Sequence, residues 1–221
     1  MTGNNIKKRA FIFMGGKNFF PEFLTDIPCE NDLVIAADSG LYALSLFCEK
    51  VKKISPDIIV GDMDSFEEKS LSKNFFDAEF IKFPPEKDDT DTSLAVDVAL
   101  SKGYNEIFIL GGMGGRFDHT LAVAYLAEYI AEKGASGVIS DGKNRVYLAK
   151  SKNVIQTKRK YVSLIPIDSE IFGVYFSGFK YPLENKNLSR KKFLTISNEL
   201  SKERGEITIE SGKALIVETM D

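Results

Sequence analysis

Four short clusters carry most of the unusual polar chemistry in this chain of 221 residues. They are Asp38-Ser39-Gly40, Gly61-Asp62-Met63-Asp64-Ser65, Lys87-Asp88-Asp89-Thr90-Asp91, and the run from Gly111-Gly112 through Gly114-Gly115-Arg116 to Asp118-His119. Asp62 and Asp64 stand two residues apart, a spacing that points both carboxylates the same way in an extended turn. Crowded carboxylates repel unless a cation lies between them, and hard oxygen donors favour magnesium over zinc. Asp88 and Asp91 supply further candidates. Lys87 within an acidic group suits a phosphate. The glycine-rich stretch lacks the Gly-Lys-Ser/Thr of a Walker A loop and the spacing of a dinucleotide fingerprint. It can still let backbone N–H groups approach phosphate, with Arg116 as the planar cation that neutralises it. Each cluster also has a plainer reading as helix-start chemistry: Asp64 would cap a helix from Ser65, and Thr90 or Asp91 would cap the next. His119 is the only histidine. Its place beside Arg116 and Asp118 suits ligand contact more than general-base work, and no serine sits in a Gly-x-Ser-x-Gly elbow.

The elements that must position these clusters are short apolar runs, each closed by glycine or aspartate. Ala10–Met14 ends at Gly15-Gly16, Asp32–Ala37 at Asp38, Ile58–Val60 at Gly61 and Glu106–Leu110 at Gly111. Continuous apolar runs fit strands covered on both faces, as in a parallel sheet. Helical spacing is visible in Leu41–Val51, Thr92–Lys102 and Leu121–Lys133, the last two followed by Gly103 and Gly134. Strand–helix alternation predicts an α/β domain over residues 1–150, and ligands of such sheets bind beyond the carboxyl ends of the strands. After about Ala149 the texture changes to short strand candidates: Lys160–Pro166, Gly173–Phe176, Phe193–Ile196, Glu206–Glu210 and Ala214–Glu218. A small all-β sandwich over residues 151–221 is expected, with the boundary between Lys150 and Lys160.

Composition sets the outer limits. Hydrophobic residues make up 43% and charged residues 28%, as in an ordinary globular protein with a packed core. A net charge of −3 offers no general attraction to nucleic acid or anionic lipid. Two cysteines, Cys29 and Cys48, make no disulfide framework, and no apolar stretch approaches the roughly 20 residues of a membrane span. A soluble, cytoplasmic protein is expected, with no nucleic-acid or membrane partner.

Taken in order, these residues resemble the thiamine pyrophosphokinase (thiamine diphosphokinase) family of bacterial type. The match runs from Asp38-Ser39-Gly40 through Pro56 to Ser65. It continues in Lys87-Asp88-x-Thr90-Asp91 and Gly114-Gly115-Arg116-x-Asp118-His119. Gly178-Phe179-Lys180-Tyr181-Pro182-Leu183 and Ile196-Ser197-Asn198-Glu199 are similar to the family's C-terminal signatures. The resemblance implies a catalytic α/β domain, a thiamine-binding β-sandwich, and a homodimer with active sites between subunits. It implies transfer of the diphosphate of ATP to thiamine, giving thiamine diphosphate and AMP, with Mg2+ as cofactor. It makes Asp62, Asp64 and Asp91 the metal ligands and, with Arg116, the catalytic groups; Asp88 is a less certain member of the acidic set. Asp38, Ser39, Gly40, Lys87, Asp88, Thr90, Arg116 and His119 become nucleotide contacts; Asp118, Ser197 and Asn198 become thiamine contacts. The chain has no tryptophan, so indole stacking on thiamine has no counterpart here, and Tyr181 or a phenylalanine is left to take that place. Two rivals keep the same acids: a diphosphokinase acting on a pterin alcohol, and a non-catalytic nucleotide sensor.

Overall fold

The computed structural model describes residues 7–61, 77–83 and 90–221. The chain divides into two compact units, Met1–Gly142 and Lys143–Asp221.

The first unit is built on parallel strands β1 (Arg9–Met14), β2 (Leu33–Ala37), β3 (Ile58–Val60), β4 (Glu79–Ile81), β5 (Glu106–Gly111) and β6 (Ser136–Ser140). They lie in the order β4-β3-β2-β1-β5-β6, every pair parallel. Helices α1 (Gly40–Lys50), α2 (Asp91–Ser101) and α3 (Phe117–Glu132) connect them. The pleat turns alternate strand residues to opposite faces. Phe11, Phe13, Val34, Ala36, Phe108 and Leu110 face α1, where Leu41, Leu44 and Phe47 complete one core. Aromatic rings fill it, Phe11 stacked on Phe108 at 4.7 Å and Phe13 edge-on to Phe47 at 5.3 Å. Each such pair adds about 0.5–1.5 kcal/mol beyond its buried area. Met14 turns to the other face, where its sulfur meets the Thr92 hydroxyl of α2 at 3.8 Å. The expected helices are therefore present, but α3 begins at Phe117, a turn earlier than the apolar spacing from Leu121 predicts. Its first turn, Phe117 to Thr120, is polar or exposed and carries no buried apolar residue.

The second unit is antiparallel, from β7 (Asn144–Leu148), β8 (Lys152–Ile155), β9 (Tyr161–Pro166), β10 (Glu170–Ser177), β11 (Leu183–Ser189), β12 (Gly205–Thr208) and β13 (Ala214–Thr219). Strand β13 pairs with β7 and β9, while β11, β10, β12 and β8 form a second sheet. Val162, Leu164 and Ile216 from the first set meet Ile155, Val174, Phe176 and Ile207 from the second in one buried cluster, which makes the unit a sandwich. The α/β-then-sandwich architecture is as the sequence predicts. The division differs: the units part after Gly142, whereas the texture of the sequence points to residue 150. The reason is nonlocal, because β7 pairs with β13, the last strand of the chain.

One strand expectation is corrected. Phe193–Ile196 is a turn, with Ile196 N–H donating to the Phe193 carbonyl at 3.4 Å. Only Thr195 points inward, its hydroxyl donating to the Leu164 carbonyl at 2.6 Å, while Phe193, Leu194 and Ile196 are exposed. Cys29 and Cys48 are free thiols. Among the described residues no helix is long and apolar enough to cross a membrane.

Candidate active site

Strand order locates the site. From β1 the sheet grows one way through β2, β3 and β4, and then the other way through β5 and β6. The order reverses between β1 and β5, and open α/β sheets bind ligands beyond the carboxyl ends of the strands at such a switch point. Register brings the sequence clusters to that edge: Met14 pairs with both Ala37 and Gly111, and Ala37 pairs with Val60. Asp38 therefore follows β2 beside Gly15, and its N–H donates to the Val60 carbonyl at 2.8 Å. Gly61 ends β3 there, with its N–H on the Ile81 carbonyl at 3.4 Å. The Thr92 contact with Met14 sets the start of α2, and so Asp91, near the same edge. The described parts of all four clusters thus gather at one end of the sheet.

Two glycines make the approach possible. A Cβ on Gly40 would lie 2.0 Å from the Phe13 carbonyl oxygen, so only glycine lets α1 begin against β1. Gly111 has φ +100° and would place a Cβ 2.3 Å from the Met14 carbonyl oxygen. Asp38 itself is left-handed at φ 46°, a conformation that aspartate tolerates better than most residues. Ser39 precedes α1 without a side-chain capping bond, and the first turn of α1 holds no acid. The Ser39 hydroxyl is thus not used in capping, and the start of α1 suits an anion.

Thr90 stands at the start of α2. Its hydroxyl oxygen accepts from the Ser93 N–H at 3.2 Å and caps α2, with Asp91 as the acid of the first turn. Arg116 precedes α3 and forms a two-point pair with Asp118, Nη2 to Oδ2 at 2.6 Å and Nε to Oδ1 at 3.2 Å. Hydrogen bonds from Arg116 hold the Asp118 carboxyl down at about 2, and the His119 N–H, donating at 2.9 Å, adds to the effect. Arg116, just before α3, and Asp118 and His119 in its first turn are exposed. Asp62, Asp64, Lys87 and Asp88 lie outside the described residues. Among the described residues no three His, Cys, Asp or Glu side chains gather to hold a metal. The expected donor set, Asp62, Asp64 and Asp91, is wholly carboxylate and fits a hard divalent cation.

Sequence reasoning did not single out two other features of this edge. The segment after Gly15-Gly16 runs beside the glycine-rich loop: Gly112 N–H donates to the Gly15 carbonyl at 3.2 Å, and Lys17 N–H to the Gly114 carbonyl at 3.3 Å. Asp141 follows β6, buried at 3% exposure, and its carbonyl accepts from Phe20 N–H at 2.7 Å. The signal for the first was the paired glycines; a lone Asp-Gly turn gave little for the second.

In the second unit, Ser197 is left-handed at φ 57° and its N–H donates to the Ser163 hydroxyl at 2.9 Å. Asn198 is 4% exposed, with its side chain bonded to the main chain of Tyr181 and Glu199. The two neighbours thus differ: Ser197 is exposed, while Asn198 faces inward.

Comparison with known proteins agrees with this layout. Sequence models described as "Thiamin pyrophosphokinase, catalytic domain" and "Thiamin pyrophosphokinase, vitamin B1 binding domain" match residues 26–139 and 145–216. Thiamine pyrophosphokinase of Bacillus subtilis (strain 168) is 31% identical over 211 residues, covering 94% of this chain and 96% of that protein. The crystal structure of thiamine pyrophosphokinase from Bacillus subtilis superposes with a TM-score of 0.86 at 31% identity, over 97% of this chain and 100% of that one. The enzyme from Geobacillus thermodenitrificans gives 0.82 at 27% identity, over 96% and 98%. With both units matched in order over most of its length, the chain belongs to the thiamine pyrophosphokinase family of transferases.

Proposed function

We propose that this protein transfers the diphosphate of ATP to the primary alcohol of thiamine, giving thiamine diphosphate and AMP. The observation that carries the reading is the gathering of Asp38, Asp91 and the Gly111–Arg116 loop at the β1/β5 switch point of a chain in this family. In the reaction the alcohol oxygen attacks the β-phosphorus. The bond from that phosphorus to the oxygen bridging the α-phosphorus breaks, AMP leaves with the bridging oxygen, and the hydroxyl proton is released. Asp62, Asp64 and Asp91 would hold Mg2+, which when bound neutralises charge on phosphate oxygens and polarises the β-phosphoryl group. Positioning and charge neutralisation do most of the work in phosphoryl transfer. The start of α1 and the glycine-rich loop would present backbone N–H groups to the triphosphate, and Lys87 and Asp88 would be nucleotide contacts. Arg116 exchanges Asp118 for phosphate, a trade open to an exposed pair that solvent already screens. Ser197 and the Tyr181 segment of the second unit would meet thiamine, and the functional form would be a homodimer.

A product assay tests this. Chromatography of a reaction with ATP, Mg2+ and thiamine should show thiamine diphosphate and AMP in equal amounts, lost on adding a chelator. Nucleotide binding with no AMP formed would leave a sensor instead, and turnover of a pterin alcohol alone would overturn the substrate. Light scattering of the eluting protein should give twice the chain mass.

A further inference from the structure

Asn198 is a residue whose carboxamide is almost fully occupied. Its Oδ1 accepts from Tyr181 N–H at 3.1 Å and Glu199 N–H at 2.9 Å, and its Nδ2 donates to the Tyr181 carbonyl at 2.8 Å. A carboxamide offers two acceptor sites and two donors, so three of the four are used. Its own main chain exchanges bonds with Val162 at 2.7 and 3.0 Å, tying it to β9. One side chain therefore grips the peptides on both sides of Tyr181. The residues around Tyr181 are held as well. Phe179 is buried against Phe176 at 5.1 Å, Lys180 N–H donates to the Glu199 carbonyl at 2.8 Å, and Lys180 Nζ meets Glu199 Oε1 at 3.0 Å. Pro182 restricts Tyr181 to extended backbone.

The side chain at the centre of this scaffold is not a core residue. Tyr181 is 59% exposed, so packing gives the fold little reason to fix its main chain with two bonds to one buried carboxamide. Its ring attracts cations: Lys180 Nζ lies 5.6 Å from the centroid. An exposed aromatic ring on a main chain held in this way suits a flat cationic heterocycle, and thiamine carries one in its thiazolium ring.

We propose that Asn198 is a positioning residue for thiamine binding, acting through Tyr181, whose main chain it clamps and whose exposed ring it presents to the substrate. The proposal rests on the thiamine reading above. It separates Ser197 and Asn198, which the sequence groups as two thiamine contacts: the first remains available to a ligand, and the second works from inside the fold.

A double-mutant cycle in steady state tests it on the full-length protein, with Asn198→Ala, Tyr181→Ala and both together. Each single change should raise the KM for thiamine about tenfold, the scale of one aromatic–cation contact, while the KM for ATP stays within about twofold. In the Tyr181→Ala background, Asn198→Ala should add less than about twofold, because its route to the substrate is already gone. Calorimetric titration with thiamine should show the same pattern without turnover. Multiplicative effects would mean that Asn198 touches thiamine itself and overturn the proposal, as would equal rises in both KM values. Should Asn198→Ala fail to fold, the exposed Tyr181→Ala still decides: an unchanged KM for thiamine ends the proposal. A wild-type protein that makes no AMP from ATP and thiamine would instead remove the functional reading, and this inference with it.

Discussion

Two acids of the first unit illustrate how residue type and placement divide the chemistry. Asp91 opens α2, where a negative charge stabilises the helix start by about 0.3–1 kcal/mol. A charge that also held metal would matter far more to turnover than to folding. Asp91→Asn should lower kcat by about 100-fold or more, since metal neutralisation supplies several kcal/mol to the transition state. Its thermal midpoint should fall by only a few degrees, about what the lost helix-start charge accounts for; activity within twofold of wild type at limiting Mg2+ would remove Asp91 from the ligand set. Asp118 makes a different case. Its hydrogen bonds from Arg116 hold the carboxyl at about 2, below the ordinary aspartate value. A depressed carboxylate contributes stability that is present above the unfolded value near pH 4 and lost as pH falls through about 2. Because the pair is exposed, salt should screen it. Carboxyl NMR should find Asp118 titrating near the bottom of the acid range at low salt, moving up in 1 M salt and in Arg116→Gln. An ordinary value at low salt would show that the two-point pair does not persist in solution.

At the level of elements, the site depends on how closely helices start against strands. Gly40 lets α1 begin within touching distance of β1, and Thr90 fixes where α2 begins. Gly40→Ala forces Cβ onto the Phe13 carbonyl, and the neighbour it meets is backbone, which cannot swing aside. Overpacking of that sort costs about 1–3 kcal/mol. Urea unfolding should record the loss, and the KM for ATP should rise with it, because the displaced turn is the one carrying Asp38 and Ser39. Stability unchanged to within error would contradict the close approach. The start of α3 shows the opposite balance. Apolar periodicity begins at Leu121, yet the helix runs back to Phe117, because the polar first turn costs little to form once the later turns are packed on the sheet. That extension is what puts Arg116, Asp118 and His119 on a helix terminus rather than in a loop.

Over the whole molecule, the two units rest on different forces. The first is a mainly apolar sheet-and-helix core. The second buries a cluster of charges: Glu218 of β13 accepts from the Tyr147 hydroxyl at 2.8 Å and lies 3.3 Å from Arg145 and 4.0 Å from Arg159. Burial and the charge of Glu218 push the Tyr147 phenol well above its ordinary value. Removing one member of a buried charge cluster leaves the others uncompensated, at about 3–5 kcal/mol. Glu218→Ala should therefore speed amide hydrogen exchange in β7, β9 and β13, and unchanged protection in those strands would show that the cluster contributes nothing to stability. The sequence by itself determined the alternation of strands and helices, the change to a sandwich, and the polar clusters at strand ends, because periodicity and turn chemistry are local. Strands such as β6 and β7 stayed hidden, since half-buried runs containing Ser, Gly, Asn and Arg carry little periodic signal. Only the tertiary structure decided that β1 and β5 are neighbours, that β7 belongs with β13, that Arg116 pairs with Asp118, and that Asn198 faces inward while Ser197 does not. Apart from the Arg116–Asp118 pair, which spans only two residues, those choices depend on contacts between residues far apart in the chain, and no local pattern encodes which partner a strand or a buried amide will meet.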